Sequence, residues 1–173
     1  MRAANIDNVR LSDDGSAVRI IDQTRLPGKT VYLELRTRDE LWEAIYSLRV
    51  RGAPAIGIFA GYAMYVLAAA SGADDTSALL DFIADSRAFL DSSRPTAVNL
   101  SAMTGRMHEL AADMARNGSG TAEIISAMRR EAEKIQDEDA EMCLAISGYG
   151  LSLLRDGDCV LTHCNAGPLA TSE

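Results

Sequence analysis

Cysteine is scarce in this chain. Its 173 residues hold three, Cys143, Cys159 and Cys164. An odd, low count excludes a disulfide framework and points to a reducing compartment, the cytoplasm. Positive charge is also in deficit: 17 Lys and Arg against 25 Asp and Glu leave a net charge of −8. A surface of that sign repels nucleic acid and anionic membranes, so neither is expected as a partner, although a local basic pocket for a small anion stays open. The opening residues MRAANIDNVR contain no apolar core, so no secretory leader is read there. Only one long stretch, residues 54–70, is both apolar and free of charge, and Pro54, Gly57, Gly61 and Tyr62 interrupt it. It reads as a fully buried central helix rather than a membrane span. The remainder is an ordinary globular mix, 47% apolar and 24% charged, which excludes collagen-like and disordered classes.

The order of elements follows from changes of period. Residues 8–11 and 17–22 read as a hairpin around Ser12-Asp13-Asp14-Gly15-Ser16, and residues 30–35 (TVYLEL) alternate as a third strand. Thr37-Arg38-Asp39-Glu40 is a capping box that starts a helix. Pro54 opens the buried helix at a tolerated position, and Gly57 and Gly61 mark close packing of that helix on a neighbour. Further helices are expected over 76–91, from Pro95 to about 117, and over 121 to about 155. On the last, Ile124, Met128, Ile135, Met142, Ile146 and Leu153 form one stripe. Its acidic run at 136–141 reads as a solvated face, Gly148 and Gly150 as a kink, and Cys143 as core. Cys159-Val160-Leu161-Thr162-His163 reads as a buried strand.

Three loops share a design suited to an anion. Arg51-Gly52-Ala53-Pro54, Arg94-Pro95 and Cys164-Asn165-Ala166-Gly167-Pro168 are each expected to open a helix, whose N-terminal amides attract phosphate. Arginine adds a bidentate donor, though a lone loop arginine is commonly a solvated surface residue. Cys164 would end the buried strand, the place where open α/β sheets bind ligands. A thiol beside a helix N-terminus or an arginine becomes reactive, whereas a free cysteine elsewhere is a small hydrophobe; position alone leaves the two readings level. Cys159, His163 and Cys164 supply too few ligands for zinc, so no metal site is read. His163 and His108 read as structural.

Five motifs in order carry a family resemblance: Gln23-Thr24-x-Leu26-Pro27, Tyr32-Leu33-Glu34-Leu35, Arg51-Gly52-Ala53-Pro54-Ala55-Ile56-Gly57, Ser93-Arg94-Pro95-Thr96-Ala97-Val98-Asn99-Leu100 and Leu161-Thr162-His163-Cys164-Asn165-Ala166-Gly167. Together they resemble the methylthioribose-1-phosphate isomerase family, which is related to the alpha, beta and delta subunits of translation initiation factor 2B. The resemblance implies an aldose–ketose isomerase of methionine salvage that turns 5-methylthioribose 1-phosphate into 5-methylthioribulose 1-phosphate. No metal or organic cofactor is implied. Arg51, Gly52, Ala53 and Arg94 would bind the sugar phosphate and Cys164 would be catalytic, opposite an aspartate acid in the family's second half. The alternatives are an isomerase of another pentose 1-phosphate, 5-deoxyribose 1-phosphate or ribose 1,5-bisphosphate, and a non-catalytic regulatory protein of the initiation-factor type.

The fold class implied is α+β and mainly helical. A small antiparallel sheet over 1–36 and a helical bundle over 37–155 form one domain. Residues 156–173 would be the first strand and loop of a truncated Rossmann-like domain. The family pattern runs to about twice this length, so the chain is expected to be the amino-terminal half of a homodimeric enzyme, inactive by itself and partnered by the missing C-terminal half.

Overall fold

A computed structural model describes residues 8–172. Positions 1–7, on which most of the reading of the opening segment falls, lie outside the described residues, as does Glu173.

The hairpin forms where the alternating residues and the glycine turn require it. Strands β1 (Val9–Leu11), β2 (Val18–Ile21) and β3 (Tyr32–Leu35) make an antiparallel sheet in the order β1-β2-β3. Val9 lies opposite Ile20, and Val18 opposite Leu35, so one face buries Val9, Leu11, Val18, Ile20 and Leu35. The turn is fixed by Asp14, whose carboxylate accepts from the Ser12 hydroxyl and from the amide and hydroxyl of Ser16. Those bonds hold its carboxyl far below the usual range.

Helix α1 (Arg38–Tyr46) starts in the expected capping box, with Thr37 accepting from the Glu40 amide and Glu40 accepting from the Thr37 amide. Helix α2 (Ala53–Ala70) carries Pro54 in its first turn. It is long and apolar enough for a membrane span, but 78% of it is buried inside the fold. Its cover comes from α3 (Thr76–Ser92), α4 (Val98–Arg116), α5 (Thr121–Leu151) and the sheet. A Cβ at Gly57 would come 3.2 Å from Met103 Cγ, and one at Gly61 3.0 Å from Ile135 Cδ1. Both glycines therefore let α4 and α5 approach α2, as the four-residue spacing predicts.

Several boundaries differ from expectation for stated reasons. Pro95 does not start α4: residues 94–97 form a turn, closed by the Ala97 amide on the Arg94 carbonyl at 2.9 Å, and the helix begins at Val98. Helix α5 runs through Gly148 and Gly150 and ends at Leu151, short of 155. Its apolar stripe is only half used. Ile124, Met128 and Ile135 are buried, whereas Met142, Ile146 and Leu153 are 59%, 64% and 82% exposed. At 1.5 Å per residue α5 spans about 46 Å and α2 only about 27 Å, so the stripe outruns the helix it packs on.

The acidic run is not simply solvated either. Glu138 pairs with Arg106, Asp139 accepts from the Ser172 amide at 2.7 Å, and Gln136 accepts from the Tyr62 hydroxyl. Cys143 is half-buried beside Asp139, not in the core. Residues 158–163 form no strand, and Val160 and Leu161 are exposed. A strand exists only by pairing, and the single sheet among the described residues is made of β1, β2 and β3.

Asp22 locks the sheet to the loop after α1. Its carboxylate is buried, accepts from the Thr24 hydroxyl and amide, and takes Arg49 Nη1 at 2.6 Å. Burial pushes its pKa up, but these hydrogen bonds outweigh burial and leave it below the ordinary value. A carboxyl depressed in the fold stabilises above its unfolded pKa, near 4, and that contribution is lost as pH falls further. We expect Asp22→Asn to cost about 2 kcal/mol at pH 7, with the gap to wild type closing below about pH 4. Urea midpoints at pH 7 and pH 3 check this; a gap of equal size at both would refute it.

Candidate functional site

Three segments converge on a cavity of about 780 Å³. The loop between α1 and α2 gives Leu48, Arg51 and Gly52, and the first turn of α2 gives Ala53 and Ile56. The turn before α4 gives Arg94, Thr96 and Ala97, and the start of α4 gives Val98 and Asn99. The segment after α5 gives Cys164 and Asn165. The five residues singled out by sequence, Arg51, Gly52, Ala53, Arg94 and Cys164, all lie on this one wall. His163, Cys159, Cys143 and His108 do not.

The loop carrying Arg51 is rigid because its neighbours are fixed. Arg49 is gripped by Asp22 and, through Nε at 2.7 Å and Nη2 at 3.0 Å, by Glu43. Its carbonyl accepts from the Gln23 amide at 3.0 Å, and Val50 plugs the core. Arg51 itself donates from Nε to Gln23 Oε1 at 3.3 Å. Among the described residues neither Arg51 nor Arg94 is in an ion pair. Arg49 and Arg106, by contrast, each bind two carboxylates. In a chain with this excess of acid, two guanidinium groups on one cavity wall are left without carboxylates, and a guanidinium in that state suits an anion.

Two helix N-termini open on the same space. At α2, Pro54 has no amide proton and the Ala55 amide is taken by the Ala170 carbonyl at 3.0 Å. The amides of Gly52 and Ala53 have no acceptor among the described residues. At α4, Ala97 provides no side-chain cap, and the amides of Val98 and Asn99 are likewise left. Free amides and the positive ends of two helix dipoles thus join two arginines, an arrangement that suits a phosphate.

Strain collects at the cavity too. Leu48 at φ 59° and Cys164 at φ 66° are the two non-glycine residues with positive φ among the described residues, and both line the wall. Such conformations cost about 1–3 kcal/mol each and gather at functional sites. Cys164 sits on an exposed loop instead of the end of a buried strand. No three His, Cys, Asp or Glu side chains among the described residues converge as a metal site requires.

Residues 167–172 complete the site from behind. The Leu169 carbonyl accepts from Asn8 Nδ2 and from Gln23 Nε2, both at 2.8 Å, and Ala170 is buried against Gly52. No sequence signal assigns a role to Gln23, Asn8, Leu48 or Asn99. Gln23 and Asn99 lie within quoted motifs, but their partners are set only by tertiary packing.

The pattern of the initiation factor 2 subunit family matches residues 49–171. The chain is 48% identical over 167 residues to a methylthioribose-1-phosphate isomerase of Symbiobacterium thermophilum, a match that covers 96% of this chain and 46% of that protein. It is 46% identical over 156 residues to a 5-deoxyribose 1-phosphate isomerase of Moorella thermoacetica, covering 90% of this chain and 44% of that one. The crystal structure of 5-methylthioribose 1-phosphate isomerase from Pyrococcus horikoshii superposes with a TM-score of 0.88 at 35% identity, covering 98% of this chain and 48% of that one. The chain therefore spans about half the length of the curated relatives it matches.

Proposed function

The chain belongs to the initiation factor 2 subunit family, and from that premise we propose that it is the arginine- and cysteine-bearing part of a cytoplasmic aldose–ketose isomerase acting on a pentose 1-phosphate. The observation that carries the reading is the single cavity walled by Arg51, Gly52, Ala53, Arg94 and Cys164. The two arginines and the amides at the starts of α2 and α4 bind the phosphate. Cys164, on the same wall, faces the sugar.

The chemistry calls for two proton-handling groups. A phosphate on the anomeric oxygen prevents free ring opening. One group protonates the ring oxygen as its bond to C1 breaks, and one removes the proton from C2. The base then returns its proton to C1, and the C2 hydroxyl gives its proton back to the acid as it becomes the ketone, so no net proton is consumed. Cys164 is one of the pair. The other is the aspartate that the family resemblance implies in the half not covered here. A hydride shift from C2 to C1 is the competing route.

Leu48, Ile56 and Val98 share the wall with the arginines. An apolar group on C5 suits them better than a second phosphate, because these side chains offer a phosphate no hydrogen-bond donor. Both 5-methylthioribose 1-phosphate and 5-deoxyribose 1-phosphate meet that condition; the Symbiobacterium relative supports the first reading and the Moorella relative the second.

The test has two arms. Arg51→Met and Arg94→Met should each weaken inorganic phosphate binding by the chain about tenfold, or about 1.4 kcal/mol, measured by calorimetric titration. The chain joined to the part of the Symbiobacterium relative that it does not match should convert 5-methylthioribose 1-phosphate to the ketose. Failure to turn over either pentose 1-phosphate with phosphate binding intact would leave the initiation-factor type of regulatory protein as the better description.

A further inference from the structure

We infer that Gln23 is a positioning residue that acts through Arg51. The residue is 3% exposed, and both N–H groups and the oxygen of its side-chain amide have partners. Nε2 donates to the Leu169 carbonyl at 2.8 Å and to Asn8 Oδ1 at 3.2 Å. Oε1 accepts from Arg51 Nε at 3.3 Å. An amide has two N–H donors and one oxygen acceptor, so the network settles which way the group points. Turned over, it would set its oxygen against the Leu169 carbonyl and its N–H group against the Arg51 N–H. Asn8 repeats the constraint, since its own amide nitrogen donates to the same Leu169 carbonyl at 2.8 Å and so leaves its oxygen for Gln23. The backbone adds a further tie, from the Gln23 amide to the Arg49 carbonyl at 3.0 Å.

The consequence for Arg51 is geometric. Its Nε is anchored from outside the cavity, and the two terminal nitrogens of its fork stay available to an anion. An exposed arginine that lacked this anchor would lose more rotamer freedom on binding. Gln23 supplies the order beforehand. Its other face holds the segment that follows Cys164, so one buried amide joins the loop carrying Arg51 to the chain carrying Cys164.

The inference rests on the anion-site reading of the same cavity, and a double-mutant cycle separates the two. In calorimetric titrations of the chain with inorganic phosphate, Gln23→Met should weaken binding about tenfold in the wild-type background and by less than about twofold in the Arg51→Met background. A purely structural role would not show this dependence on Arg51. Affinity that falls with Arg51→Met but not with Gln23→Met overturns the inference alone, and so does an equal loss in both backgrounds. Affinity indifferent to Arg51→Met removes the anion-site reading and this inference with it. If Gln23→Met does not fold, Gln23→Ala leaves room for water to meet the Leu169 carbonyl and Asn8, and the same cycle with that variant should give the same loss only where Arg51 is present.

Discussion

Cys164→Ser should lower turnover of 5-methylthioribose 1-phosphate at least a hundredfold in the chain joined to the unmatched part of its Symbiobacterium relative. Phosphate affinity and folding should remain as in wild type. A hundredfold loss is about 2.7 kcal/mol of barrier. The expectation rests on proton handling. A serine hydroxyl matches the thiol in reach but holds its proton far more tightly, so it cannot exchange that proton near neutral pH. Cys164 lies on an exposed loop at positive φ on the cavity wall, and nothing in the core depends on its sulfur. A large loss in kcat with KM little changed is therefore the expected split. An unchanged rate would refute the role given to this residue.

The largest stability effect is expected at Gly52. Its φ of +101° disfavours any L side chain, and a Cβ there would lie 2.5 Å from the Ala170 Cα and 2.8 Å from the Ala170 carbonyl oxygen. These are backbone atoms, so the neighbour cannot turn aside as a flexible side chain would. Gly52→Ala adds about 1–2 kcal/mol of backbone strain and displaces the segment whose Leu169 and Ala170 carbonyls cap Asn8, Gln23 and Ala55. We expect a total of about 3 kcal/mol or more, close to 6–12 °C in Tm for a chain of this size. Gly118→Ala is the control. Gly118 also has positive φ, at +85°, but a Cβ there would have nothing within 4 Å, so the substitution should cost only the strain. Equal losses at the two positions would show that contact with Ala170 contributes nothing.

The sequence showed the features that depend on near neighbours. The hairpin around Gly15, the capping box at Thr37 and Glu40, and the proline in the first turn of α2 are short-range signals, and each appears as expected. The fold class, α+β and mainly helical, follows from them, and the chain's solved relative shares it. What depends on distant partners was less visible. Residues 159–163 look like a strand by composition but have no strand to pair with. The α5 stripe continues past the end of its support, so Met142 and Ile146 are exposed despite their periodicity. The site divides in the same way. Arginines and glycines at helix starts marked Arg51, Gly52 and Arg94, whereas the Ala170 carbonyl on the α2 N-terminus and the Gln23 amide on Arg51 arise from contacts that no local pattern encodes.

The tie between Gln23 and Leu169 has a consequence for how the protein is made. The two residues are 146 positions apart, and at 5–20 residues per second a ribosome needs about 7–30 s to pass from one to the other. For most of that interval, once residue 70 has been added, the hairpin, α1 and α2 are already synthesised. The start of α2 lacks its carbonyl cap, and Arg51 is held by an amide that has only Asn8 to orient it. The cavity thus takes the form seen here only once residue 169 has been added, well after the residues that give it charge have emerged.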